Sequence, residues 1–279
     1  MRIILTALLF FSATSFIHAQ HISSCCVPTA TDKFAMNAND ESFKRSHEEP
    51  LPFLFTSAQG GHDINFSTGG MEAHGWLIPA KKKSPYYIFV VHEWWGLNDY
   101  IKKTSEQLAK DLDVNVLALD MYDGAVASTR EDAAKYMQAA SAERCTEIIK
   151  GAYAYAGTQS KIFTIGWCFG GGWSLQTSIE GGEQAKGCIM YYGQPESKPE
   201  RLQLLQCNVL GIFANNDQWI SPKVVTEFKD NMAKVGKDLS VYQYDADHGF
   251  ANPSNPKYDK KSGDDAYAKT LTFIKLRMK

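Results

Sequence analysis

Charge of one sign is scarce in this 279-residue chain: 29 lysines and arginines face 31 aspartates and glutamates, for a formal net charge of −2. With no basic tract and no regular interleaving of aromatics, the chain lacks the footprint of a nucleic-acid binder, and no such partner is expected. Long apolar runs are equally scarce. The longest, Ile3 to Ile17, is interrupted by Ser12, Thr14 and Ser15, too short for a comfortable membrane span. Between Met1-Arg2 and the small-residue step His18-Ala19-Gln20 it reads as a secretory signal over residues 1–19. Export to the periplasm or beyond is therefore expected, with no membrane span. Ile22-Ser-Ser-Cys25 loosely resembles a lipobox, so a lipid anchor at Cys25 is the lesser alternative.

Cysteine is also sparse. An exported chain with six cysteines invites disulfides, yet Cys145 falls in a helical pattern, Cys188 in an apolar run and Cys207 at the start of a strand. Only Cys25 and Cys26 sit in polar surroundings, and neighbouring cysteines pair poorly with each other. There is no internal repeat and no low-complexity segment. Residues 20–60 form a polar leader ending in Glu48-Glu-Pro-Leu-Pro-Phe53, expected to lie as an extended arm on a single domain spanning 61–279.

Within that domain strands and helices alternate. Tyr86 to Val91 is a continuous apolar run, as expected of a strand buried on both faces, and Met71 to Ile78 suits an earlier antiparallel strand. Helical spacing of Ile101, Leu108 and Leu112 leads into a strand at Val114 to Leu119. The Thr129-Arg-Glu-Asp132 capping pattern opens a helical stretch expected to reach about Tyr155. Further strands are expected at 161–165, 187–192, 208–213 and 239–244, with a helix opened by Ser221-Pro222 and a terminal helix near 264–277. This order predicts an α/β fold: a mostly parallel sheet with helices on both faces.

Directly after the strand-like Lys161 to Ile165 comes Gly166-Trp-Cys168-Phe-Gly170. This is the cysteine form of the G-x-S-x-G nucleophile elbow, in which a sharp strand-to-helix turn exposes the nucleophile. A thiol needs a base, and the base needs an acceptor to fix its tautomer. His248 is the only histidine after Cys168, which makes it the base. Asp217, Asp245 and Asp247 are candidate acceptors; Asp217 is preferred because the other two are too near His248 in sequence to reach its far nitrogen. The Phe169 amide and the Trp94 amide are the expected oxyanion donors. Glu93, in the loop after Val91, is placed to take up or hold the thiol proton.

These residues resemble the dienelactone hydrolase family over about residues 60–275. The resemblance rests on His92-Glu93-Trp-Trp-Gly96-Leu-Asn98, Asp120-Met-Tyr122, Gly166-Trp-Cys168-Phe-Gly170-Gly, Asp217 and His248. It implies the α/β-hydrolase fold, a Cys-Asp-His triad, and cleavage of a lactone or ester through a thioester. It also implies that Glu93 switches the cysteine between resting and activated states. Family members that open dienelactones hold the substrate carboxylate with two arginines; here those positions carry Asp123-Gly124 and Asn252. An uncharged small-molecule ester or lactone is therefore expected, and Trp95, Tyr122, Trp167, Trp219 and Phe250 are candidates to line its pocket. No metal or organic cofactor is required, since His92-Glu93 alone makes no metal site. The alternative is a silent hydrolase fold that binds a small ligand or an envelope partner.

Overall fold

The computed structural model describes residues 29–278. The expected signal segment, 1–19, and Cys25-Cys26 lie outside those residues. Two short arm helices, α1 (Ala30–Ala35) and α2 (Glu41–Ser46), precede β1 (His62–Phe66), β2 (Ala73–Ile78), β3 (Tyr86–Val91), α3 (Asp99–Leu112) and β4 (Asn115–Leu119). The chain continues through α4 (Arg130–Ala139), α5 (Ala142–Ala156), β5 (Lys161–Trp167), α6 (Phe169–Glu180), β6 (Ala185–Tyr191) and α7 (Pro199–Leu202). It ends with β7 (Val209–Ala214), α8 (Pro222–Lys234), β8 (Leu239–Tyr244) and α9 (Lys260–Lys275).

The strands form one eight-stranded sheet in the order β1-β2-β4-β3-β5-β6-β7-β8. β2 is antiparallel to both neighbours, and every pairing from β4 to β8 is parallel. Ile88 to Val91 on β3 are fully buried, as their unbroken apolar run requires of a strand covered on both faces. The expected α/β-hydrolase fold is what the chain adopts. No helix among the described residues is long and apolar enough to cross a membrane.

Two features place the site. First, β3 feeds β4 on one side while β5 pairs on its other side, which makes the carboxyl ends of β3 and β5 a topological switch point. Second, the register pairs Val91 with Gly166, Gly166 with Met190, Tyr191 with Ile212, and Ala214 with Tyr244. The strand ends are therefore level, and the loops after them open on one rim.

Two expectations need correction. The helical stretch from Arg130 breaks after Ala139, because Ser141 caps a fresh helix by accepting from the Arg144 amide at 3.1 Å. Between residues 30 and 46 the arm is largely helical and not extended: Thr29 and Asp32 form a capping box, Asp40 caps α2, and buried Phe34 and Phe43 fasten both helices to the domain. Cys145, Cys168, Cys188 and Cys207 are free thiols.

Candidate active site

Cys168 sits between β5 and α6 with φ 55° and ψ −119°, a strained backbone for a residue with a side chain. The flanking glycines make the turn possible. A Cβ on Gly166 would meet the Gly170 carbonyl oxygen at 2.0 Å, and one on Gly170 would meet the Val91 carbonyl oxygen at 2.2 Å. Beneath the turn Thr164 Oγ1 lies 2.8 Å from both Ser174 Oγ and Ser178 Oγ, locking α6 to β5 through a buried hydroxyl cluster.

The loops after β7 and β8 supply the partners. His248 Nδ1 lies 2.6 Å from Asp217 Oδ2, and both residues are buried. Asp217 Oδ1 accepts from the Trp219 and Ile220 amides, each at 2.9 Å, so the carboxylate cannot swivel. Of the other candidate acceptors, Asp245 instead accepts from Asn216. Burial works against ionising Asp217, but His248 and the two amides overcome it and hold the carboxyl below its usual range. Burial likewise opposes charge on His248, while Asp217 and Cys168 outweigh it and hold the imidazole well above its usual value. The Cys168 thiol is pushed up by burial, with His248 and the Phe169 amide pulling it back.

Glu93 is buried beside this group. Its carboxylate accepts from Asn252 Nδ2 and, at 3.0 Å, from Ser254 Oγ. Asn252 thus occupies the expected arginine position and donates to the glutamate without bringing a charge. Burial raises Glu93, the Ser254 and Asn252 hydrogen bonds lower it, and it settles at about 7. His92 is structural: Nδ1 donates to the Glu93 carbonyl at 2.6 Å and Nε2 accepts from the Met121 amide at 3.1 Å.

The Glu93 shift has a thermodynamic sign. A carboxyl raised on folding adds stability that is full below its ordinary value of 4.5 and lost as pH rises through about 7. The loss amounts to about 3 kcal/mol. Glu93→Gln is therefore expected to match wild type near pH 4 and to melt several degrees higher at pH 8. The glutamine oxygen still accepts from Asn252, and its amide nitrogen donates to the Ser254 hydroxyl. A melting difference that stays constant across this range would mean that Glu93 is not protonated on folding.

The arm contributes a residue that sequence reasoning missed. His47, only 7% exposed, places Nε2 at 3.5 Å from the Cys168 sulfur. Its Nδ1–H donates to the Phe43 carbonyl at 2.8 Å, so Nε2 carries the lone pair and accepts the thiol proton. Burial and the nearby His248 charge bring its pKa down to about 3. The ring lies against Trp94, with centroids 4.4 Å apart, and the Arg130 Nε donates to its carbonyl at 2.7 Å. Phe43 wedges between Trp94 and Trp219, with centroids 5.5 and 5.1 Å away. No motif surrounds His47; the one hint was Phe34 and Phe43, apolar among the charged and polar residues that precede it.

With the arm in place, Cys168 is 1% exposed and shares a void of about 10 Å³ with His47, Glu93, Trp95, His248 and Asn252. A larger cavity of about 320 Å³ opens between α3, α9 and the loop after β8, lined by Glu93, Trp167, Tyr191 and Asn252 among others. Glu93 and Asn252 border both spaces. The expected pocket aromatics therefore scatter. Trp95 faces the small void and Trp167 the larger cavity, while Trp219 holds the arm. Tyr122 packs on His92 and Phe169, and Phe250 on Tyr192 and Tyr244. Trp94 is fully buried, and the Phe169 amide at the start of α6 is close enough to the sulfur to favour thiolate.

Comparison with known proteins fits this geometry. The profile of the dienelactone hydrolase family matches residues 75–277. A carboxymethylenebutenolidase of Pseudomonas sp. (strain P51) is 26% identical over 233 residues, covering 78% of this chain and 95% of its own. A dienelactone hydrolase-like promiscuous phosphotriesterase from metagenomic libraries superposes with TM-score 0.69 at 20% identity, covering 78% of this chain and 98% of its own. A dienelactone hydrolase from Anabaena variabilis ATCC 29413 does so with TM-score 0.56 at 14% identity, covering 83% of this chain and all of its own. With its elbow cysteine at the switch point of the sheet and the family profile spanning most of the domain, the chain belongs to the dienelactone hydrolase family.

Proposed function

We propose that the protein hydrolyses an uncharged carboxylic ester or lactone through a thioester on Cys168. The observation that carries this is the Asp217–His248 pair, joined at 2.6 Å, with a ring nitrogen of His248 within 4.8 Å of the Cys168 sulfur. In this reading His248 takes the thiol proton as the sulfur attacks the carbonyl carbon. The Phe169 and Trp94 amides receive the oxyanion, and His248 returns the proton to the leaving oxygen. Water, deprotonated by His248, then cleaves the thioester and restores the thiol. The resting thiol also has His47 as an acceptor at 3.5 Å, so activation involves the thiol proton leaving that hydrogen bond and going to His248. The apolar run at residues 3–17 supports action after export.

The preference for an uncharged substrate rests on the lining of the site. No lysine or arginine borders the void at Cys168 among the described residues, whereas Glu48 and Glu93 do. Arg144, the cation near the Asp123 position, is spent on Asp123 at 2.8 Å and on the Glu72 carbonyl at 2.6 Å. A silent ligand-binding fold would leave the Asp217–His248 pair without use.

Brief reaction with an aryl ester, acid quenching and mass spectrometry should find the acyl group on the Cys168 peptide. Uncharged esters should also show higher kcat/KM than carboxylated analogues of the same size. Turnover undiminished in Cys168→Ala would refute the mechanism, and preference for the carboxylated analogue would refute the substrate class.

A further inference from the structure

Hydrolysis by a cysteine, a histidine and an aspartate has no need of a second imidazole, yet the arm delivers one to the nucleophile. The Cys168 sulfur and one ring nitrogen each of His47 and His248 all lie within 4.8 Å of one another, and all three residues are buried. Both rings are tied from behind. His47 Nδ1–H donates to the Phe43 carbonyl at 2.8 Å and His248 Nδ1–H to Asp217 Oδ2 at 2.6 Å, which turns each Nε2 lone-pair position inward. Metal-bound histidines show this pattern, the outer nitrogen being fixed by a carbonyl or carboxylate so that the inner one is aimed and made more basic. His248 Nε2 is a buried atom with no hydrogen-bond partner among the described residues, in a side chain 3% exposed. It is one of eight such side-chain atoms among the described residues and the one that belongs to a histidine beside the nucleophile, where it is open to a ligand or to a group that moves.

We propose that Cys168, His47 and His248 form a zinc site, binding Zn²⁺ through one thiolate and two imidazole nitrogens with water in the fourth position. A tetrahedral ion with Zn–S about 2.3 Å and Zn–N about 2.0 to 2.1 Å sets sulfur and nitrogen about 3.6 Å apart. Cys168 and His47 already stand at 3.5 Å, and the His248 ring nitrogen lies within 4.8 Å of both, so closing the site asks only for a short approach of these atoms. The void of about 10 Å³ bounded by these three side chains, Glu93 and Asn252 is of the order of one water, which suits the fourth ligand. A thiolate with two imidazoles suits zinc and excludes Mg²⁺ and Ca²⁺, which take oxygen ligands.

No electrons move in this step. The cation replaces the thiol proton and any proton on His248 Nε2; both leave to solvent, and three dative bonds form. The consequence is functional: a bound ion occupies both the nucleophile and its base and ties the arm across them. Zinc binding and hydrolysis are therefore mutually exclusive. The site escapes a sequence search because His47 stands 121 positions from Cys168, on a segment whose docking only the fold reveals.

The test uses the full chain after chelation, titrated with Co²⁺ as a spectroscopic probe and with Zn²⁺ in competition. One Co²⁺ per chain is expected, with a thiolate-to-metal band in the near ultraviolet, tetrahedral bands in the visible and release of at least one proton. His47→Gln should weaken Zn²⁺ at least about tenfold, and Cys168→Ser should abolish the near-ultraviolet band. X-ray absorption on the zinc-loaded wild type needs no variant and should find one sulfur and at least two imidazoles. Equal affinity in wild type and His47→Gln, or a shell of oxygen alone, would overturn the proposal. None of these readouts depends on turnover, so failure of the site and failure of the hydrolytic mechanism are told apart.

Discussion

His248→Ala is expected to lower kcat by about four to six orders of magnitude, and Asp217→Asn by about four, with smaller changes in KM. The alanine variant removes the base outright. The asparagine variant acts through geometry. Asp217 Oδ1 accepts from two amides at 2.9 Å, so an asparagine must keep its oxygen there and turn its NH₂ group toward His248. A donor facing Nδ1 forces the imidazole proton onto Nε2, where the ring can no longer accept from Cys168. The loss should persist at every pH at which the protein stays folded, because a wrong tautomer is not corrected by titration. Steady-state rates for wild type and both variants on one aryl ester check this. A loss below tenfold in His248→Ala would remove His248 from the chemistry.

That geometry was legible in the sequence for a physical reason. The elbow and Asp217 each follow a strand buried on both faces, which betrays itself as an apolar run, and His248 follows the half-exposed edge strand β8, whose leucine, valine and tyrosines alternate with polar residues. Once the strands are placed, level carboxyl ends bring residues 168, 217 and 248 to one rim without further information. Glu93 was legible by the same logic, since it follows the run ending at Val91. Its Asn252 contact was not: the sequence shows a missing arginine there, but not that the amide would reach the carboxylate. The break at Ser141 escaped because propensity runs unbroken through Ala139 and Ala140, and a cap declares itself only when the helix stops. The arm was the largest omission. Six-residue helices carry too few turns to leave a periodic signal, and their anchor is tertiary: Phe43 has partners only once Trp94 and Trp219 are folded beneath it. The aromatics near the motifs were read as a pocket, yet aromatic bulk serves core packing as readily, and Tyr122 and Phe250 do that here.

In the presence of a chelator, Phe43→Ala is expected to make Cys168 alkylate about a hundredfold faster than in wild type. Phe43 has no exposed surface, and its ring meets Phe34, His47, Trp94 and Trp219. Truncating such a side chain costs about 3 kcal/mol. Here that cost falls on the docking of the arm, because the sheet beneath does not depend on it. A penalty of about 3 kcal/mol enriches the open arm about a hundredfold. A sulfur 1% exposed behind a void of about 10 Å³ reacts only from that open state, so its alkylation tracks the open population. Hydrolysis of a bulky ester should rise with it until opening no longer limits the rate, while the main thermal transition changes little. Leu54→Ala is the matched control: it lies further along the same arm but is 87% exposed, and neither rate should move. Iodoacetamide labelling followed by mass spectrometry of the Cys168 peptide decides the matter. If Phe43→Ala and wild type label at the same rate, the arm is not what closes the site, and access must come through the Glu93 and Asn252 wall from the larger cavity.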